Sequence, residues 1–282
     1  MSKTSRRSIL ALAAAGPAIA VAGAAKAAPA DGARSAQTRI GEGRVALITG
    51  SARGIGAATA KRLAAAGYAI TVNYLTRRDL AEQVVRDIEA GGGRAIVRQG
   101  DVADPEAVTA LFDANDEAFG GVDVVVNNAG IMNVGPFAQM TDAAFDRMIA
   151  TNVKGSFNVL REAARRTRDG GRIISLSSSI TLQRPAMGGV YAATKATQDF
   201  YTSALAKELA GRKISVNAVA PGAVDTQLLR QHGDAALAGI PAMTPHGRIG
   251  LPEDIANTIA ALCSGDGEWI NGQVVYSNGG IA

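Results

Sequence analysis

The chain has very little cysteine and histidine: one Cys, Cys263, and two His, His232 and His246, in 282 residues. A lone cysteine excludes an intrachain disulfide framework and leaves the redox compartment open. One thiol and two imidazoles fall short of the Cys/His sets that hold structural zinc. Both histidines lie in one Gly/Pro-containing stretch and read as loop residues. Aromatics are scarce at 4%, while apolar residues reach 47% and glycines number 33. That profile suits an Ala/Gly/Val-rich α/β protein and not a disordered or nucleic-acid-binding chain. There is also no real excess of charge in the body of the chain. The formal net charge is +4, but Lys3, Arg6, Arg7 and Lys26 all precede the first acid, Asp31. Without those four, 25 of the 29 basic side chains remain, equal to the 25 acidic ones. The part beyond residue 27 is neutral, so no global field draws it to nucleic acid or an anionic membrane. The one apolar run, Ile9 to about Ala25, is short and weakly hydrophobic for a spanning helix, which needs about 20 apolar residues.

The first residues read as a targeting segment. Ser5-Arg6-Arg7-Ser8-Ile9-Leu10 opens it, the Ala-rich run follows, and Ala25-Lys26-Ala27 offers a small-x-small cleavage site. Residues 1–27 resemble a bacterial twin-arginine export signal. The resemblance implies a periplasmic or secreted mature protein with no stable membrane association after cleavage, or a cytoplasmic one if the signal does not function. Residues 28–43, small, polar and Gly-containing, read as a linker. Residues 44–282 read as one domain, long enough to bury a substantial core.

Within that domain, short apolar runs alternate with helical stretches. Strands are expected at 45–48, 69–74, 94–99, 122–127, 172–177, 214–219 and 273–276. Helices are expected at about 55–66, 78–90, from Pro105, 141–167 with a break near Thr151, through Tyr191 to about 210, and 252–262. Alternation of this kind implies βαβ units with right-handed crossovers. The expected fold is α/β: a single-domain Rossmann fold, a doubly wound seven-stranded parallel sheet with helices on both faces.

Three motifs carry chemistry. Tyr191 and Lys195 lie four apart on a helix and so share a face. A free tyrosine titrates near 10. A fixed lysine cation beside it is expected to lower that value and make the pair a general acid or base. Thr49-Gly50-Ser51-Ala52-Arg53-Gly54-Ile55-Gly56 sits between the first strand and its helix. Glycines there admit a tight turn and close approach of a pyrophosphate to a helix N-terminus. The spacing is Gly-x-x-x-Gly-x-Gly and not the commoner Gly-x-Gly-x-x-Gly. The second strand then ends Val72-Asn73-Tyr74, with no acid until Asp79 to bond a ribose 2′-hydroxyl. Arg53, Arg77 and Arg78 instead suit a phosphate, so NADP(H) is expected over NAD(H).

These motifs, with Asn127-Asn128-Ala129-Gly130, occur in the order and at the separations of the short-chain dehydrogenase/reductase family. From about Arg44 to Ala282 the chain resembles its NADP(H)-dependent 3-oxoacyl-carrier-protein-reductase-like branch. The resemblance implies Asn152, Ser178, Tyr191 and Lys195 as the catalytic set, with Ser177 and Ser179 flanking the serine. It implies cofactor contacts at Gly50, Ser51, Arg53, Gly54, Ile55, Gly56, Tyr74, Arg77, Asp101, Val102, Asn128, Ala129, Gly130, Tyr191, Lys195, Pro221, Gly222, Val224 and Thr226, and no metal. It further implies carbonyl reduction, a small-molecule substrate, a mobile substrate lid between Ala223 and Gly250, and a homotetramer packed through the helices around Asn152–Thr167 and Tyr191–Ala210. An alcohol or polyol dehydrogenase working oxidatively, or a non-catalytic dinucleotide sensor, stays open at this point.

Overall fold

The computed structural model describes residues 40–281 apart from 232 and 234–236. The targeting segment, most of the linker and His232 lie outside the described residues. Seven strands form one parallel sheet in the order β3-β2-β1-β4-β5-β6-β7. They are β1 (Val45–Ile48), β2 (Ala69–Tyr74), β3 (Ala95–Gln99), β4 (Val122–Asn127), β5 (Thr167–Leu176), β6 (Ser215–Pro221) and β7 (Val274–Ser277). The order reverses between β1 and β4, and the crevice at such a switch point is where open α/β sheets bind ligands.

Alternate residues of each strand feed two cores. On one face Ile48, Val126 and Ile174 pack against α1 (Gly54–Ala65), α2 (Arg78–Ala90) and α10 (Pro252–Cys263). On the other, Leu47, Val125 and Ile173 pack against α3 (Pro105–Phe119), α5 (Ser156–Arg166) and α7 (Gly189–Glu208). Helices cover both faces, which is why the central strands are mostly apolar on both sides instead of alternating regularly with polar residues. Cys263, the last residue of α10, is buried in the first core. Its carbonyl accepts the Tyr68 hydroxyl at 3.1 Å, and burial pushes its thiol up to about 12.

Three expectations shift. The long helical stretch at 141–167 is three pieces: α4 (Asp142–Met148), a π-helical turn (Ile149–Gly155) and α5. β5 begins at Thr167, five residues early, because Val122 pairs with Thr167 before the register jumps to Val124 with Arg172. The segment after β6 holds the short helices α8 (Gln227–Arg230) and α9 (Ile240–Met243). Its base is pinched shut, with Gly250 N–H donating to the Ala223 carbonyl at 2.9 Å and Asp225 N–H to the Gly250 carbonyl at 2.8 Å. A final short helix, α6 (Ile180–Gln183), lies between β5 and α7. Among the described residues no helix is long and apolar enough to cross a membrane.

Candidate active site

The glycine loop is built from the residues beneath it. Gly50 and Gly54 adopt φ of +61° and +56°, the left-handed region that glycine enters without penalty. At Gly56 a Cβ would come within 2.6 Å of both Asn128 Nδ2 and the Gly50 carbonyl, so only glycine lets α1 start there. Asn73, at the end of β2, fixes the loop from below. Its Oδ1 accepts Gly50 N–H at 3.0 Å, and its Nδ2 donates to the Gly100 carbonyl at 3.1 Å. Asn128 Nδ2 donates to the Thr49 and Gly50 carbonyls at 2.8 and 3.1 Å. Ser51, expected in the cofactor site, belongs to this scaffold. It is fully buried, donates to the Ile48 carbonyl at 2.7 Å and accepts Asn73 N–H at 3.1 Å.

Beside the loop runs a groove of about 370 Å³ at the β1/β4 switch point. Gly50, Arg53, Gly54, Ile55, Gly56, Tyr74, Arg77, Asp101, Val102, Asn128, Ala129, Gly130 and Thr226 line it, bringing thirteen of the expected cofactor residues together. Pro221 ends β6, and Gly222 and Val224 line a neighbouring cavity with Asn278. Asp101 does not cap α3. Asp104 does so, by accepting Glu106 N–H, and this leaves Asp101 on the groove.

The arginines divide. Arg53 reaches across the groove to hydrogen-bond Gln227. Arg77 makes a bidentate pair with Asp79, at 3.0 and 2.7 Å. Arg78 lies outside the groove, 73% exposed on α2 and paired with Glu82. The expectation for Arg78 is therefore corrected: it begins a solvated helix face. Among the described residues no carboxylate lines the end of β2, since Asp79 pairs with Arg77.

At the far end of the groove, the position of a Cβ on Gly130 falls 3.3 Å from Asn152 Oδ1 and 3.4 Å from Lys195 Nζ. Asn152, 1% exposed, comes from the π turn. Its Oδ1 accepts Ile131 N–H at 2.9 Å, and its Nδ2 donates to the Ile131 carbonyl and Thr194 Oγ1 at 2.8 and 3.0 Å. Lys195, buried on α7, donates to the Leu176 carbonyl at 2.7 Å. Of the three neighbouring serines, Ser178 is half-buried and lies beside the Tyr191 hydroxyl, near enough to act on its titration. Ser177 and Ser179 are buried in the turn.

The electrostatics depart from the expectation that Lys195 lowers the Tyr191 pKa. Burial raises the phenol to about 12, opposed by the neighbouring Ser178 hydroxyl. Burial also lowers Lys195 to about 8, opposed by the carboxylate of Asp199. The Lys195 ammonium sits 6.0 Å from the Tyr191 ring centroid and spends a donor on the Leu176 carbonyl. In the protein alone desolvation outweighs the pairing.

The residues of the groove fit a dinucleotide. It has left-handed glycines, a loop position that a Cβ would fill, and a helix start that bears free N–H groups. It ends on a buried tyrosine, lysine and asparagine. Together these define a nicotinamide-dependent oxidoreductase.

The comparisons name the family. A family profile described as "Enoyl-(Acyl carrier protein) reductase" matches residues 50–282. Versicolorin reductase of Emericella nidulans is 40% identical over 252 residues, covering 85% of this chain and 96% of that protein. A short-chain dehydrogenase from Burkholderia cenocepacia J2315, solved in complex with NADP, is 39% identical with a TM-score of 0.82, covering 86% of this chain and 99% of that one. The angucycline C-6 ketoreductase LanV, solved with bound NADP, is 34% identical with a TM-score of 0.82, covering 86% and 96%. The chain belongs to the short-chain dehydrogenase/reductase family.

Sequence reasoning passed over the buried polar residues that hold the site in place: Asn73, Thr194 and Gln198. Asn73 was open to discovery, since an amide at the end of an apolar strand beside a glycine loop needs a partner.

Proposed function

We propose that the protein is an NADP(H)-dependent reductase that converts a ketone or aldehyde carbonyl to an alcohol. The nicotinamide supplies the hydride. Tyr191 gives its phenolic proton to the developing alkoxide, Ser178 hydrogen-bonds the same oxygen, Lys195 binds the nicotinamide ribose, and Asn152 with water returns the proton. The placement of Ser178 beside the Tyr191 hydroxyl, with Lys195 and Asn152 at the same end of the groove, carries this reading, because it sets two hydroxyl donors near one point. Burial keeps the Tyr191 phenol protonated at neutral pH, the state in which an acid gives its proton to the alkoxide of a reduction. The reductase and ketoreductase names of the relatives agree with this direction.

Arg53 and Arg77 on the groove, with no carboxylate at the end of β2, support NADP(H) over NAD(H), as do the NADP complexes of the neighbours. Exposed Phe137, Leu182, Met187 and Met243 support an apolar carbonyl substrate. Phe157 on α5 and Phe200 on α7, the latter 75% exposed, support a homotetramer packed through those helices, and light scattering checks it. Export through the twin-arginine segment is tested by Arg6→Lys with Arg7→Lys, which should keep the protein in the cytoplasm.

The deciding assay is NADPH oxidation over a broad carbonyl panel with Tyr191→Phe in parallel. Turnover that disappears in the variant supports the reading. Near-normal turnover in the variant sinks the role of Tyr191, and no turnover by the wild type moves weight to the dehydrogenase or sensor.

A further inference from the structure

Gln198 occupies a place where an α/β core is normally apolar. It lies three residues after Lys195 on α7 and is 1% exposed. Both ends of its amide are used. Its Oε1 accepts Asn127 Nδ2 at 3.1 Å, and its Nε2 donates to the main-chain carbonyl of Asn152 at 2.8 Å. Asn127 is the last residue of β4 and immediately precedes Asn128-Ala129-Gly130 on the groove wall. Asn152 belongs to the π turn. One side chain therefore links the groove wall, the π turn and the helix that carries Tyr191 and Lys195.

The π turn needs such a link. A π-helical register is rare and widens the helix locally, and it persists where surrounding contacts hold it. The Asn152 side chain is already committed to Ile131 and Thr194. Gly155, at the end of the turn, lies so close to Val102 that a Cβ there would meet Val102 Cγ2 at 2.7 Å. The Asn152 carbonyl is the point at which α7 grips the turn by a side-chain donor.

We propose that Gln198 is a positioning residue, clamping the π turn through the Asn152 carbonyl and tying it to the end of β4, so that Asn152 keeps its register with Lys195. Its kinetic consequence rests on the reductase reading, whereas the clamp itself does not. A donor lost here leaves every group that touches substrate or cofactor in place but lets Asn152 drift, and misplacement by about 1 Å costs up to a hundredfold in rate.

The test separates positioning from packing. Gln198→Met keeps the volume of the side chain and removes both hydrogen bonds. It also leaves the Asn127 amide buried without a partner, which lowers Tm. Asn127→Val combined with Gln198→Met removes that orphan and should regain most of the lost Tm. Amide hydrogen exchange of the peptide spanning 149–156 should be faster in both variants, whether or not a substrate is known. In the reductase assay kcat should fall about tenfold in both, with KM for NADPH within about twofold of wild type. Exchange at wild-type rates in Gln198→Met overturns the clamp. A kcat that returns together with Tm in the double variant shows that Gln198 only packs, and overturns the proposal. A wild type that turns over no carbonyl defeats the reductase reading alone, because the exchange measurement still decides the clamp.

Discussion

The two ends of the groove are built on opposite physical terms. At the phosphate end the charged groups are exposed and already paired with neighbours: Arg77 with Asp79, and Arg53 with Gln227. Exposed contacts of this kind are screened by solvent and salt, so they exchange partners at little cost. At the catalytic end Asn152, Tyr191 and Lys195 are buried, and Asn152 and Lys195 hydrogen-bond backbone carbonyls. There a lost partner costs the full desolvation of what remains. On the proposed reading, affinity for the cofactor is thus adjustable from the surface, while the geometry of proton transfer is fixed by the core.

Substitutions at the two ends should separate along that line. The largest effect is expected from Tyr191→Phe, which keeps the ring and removes the proton. Turnover should fall by at least about 10²–10⁴-fold while NADPH binding by fluorescence titration stays near wild type; a parallel loss of binding would erase the contrast. Gly56→Ala comes next. Its Cβ would strike Asn128 Nδ2 and the Gly50 carbonyl at 2.6 Å, so NADPH affinity should drop about tenfold or more, with a lower Tm.

The buried pair makes a signed prediction for stability against pH. Lys195 titrates at about 8 in the folded protein and 10.5 as a free side chain. Between those values the unfolded chain holds the extra proton, so stability rises with pH there. Tyr191 is raised from 10.0 to about 12. Above 10 the folded protein holds the extra proton, and stability falls again. Denaturant titrations should show the rise from pH 8 to 9, above which the Cys263 thiol, raised from 9.0 to about 12, offsets it, and Lys195→Met should remove that rise. The smallest effects belong to the exposed end. Arg53→Ala should weaken NADPH several-fold and leave NADH unchanged, and Asp79→Asn should leave Tm unaltered while releasing Arg77; Kd values for both cofactors check each.

Much of this was legible in the sequence. Strands in a doubly covered parallel sheet are short apolar runs, so β1, β2 and β4 matched their expected bounds closely. Tyr191 and Lys195 announce themselves because four residues make one helical turn. What escaped was set by tertiary context. A π turn differs from an α-helix only in its hydrogen-bond register, so the residues from 149 to 155 read as plain helix with a break. Gln198 reads as one polar residue among helical ones until the fold buries it. Arg78 and Arg77 are equivalent in sequence, and only the start of α2 sends one to Glu82 and leaves the other at the groove. The pKa of Tyr191 depends on how much water the core excludes, and no spacing of residues encodes that.

The burial of Cys263 also makes the thiol a sensor of opening. Thiolates and not thiols react with disulfides and alkylating reagents, and this group is held up to about 12 behind α10 and the first core. A folded molecule is inert to exchange in any redox compartment. Each molecule that opens presents a single reactive sulfur, so the rate of its chemical labelling counts excursions from the native state one at a time.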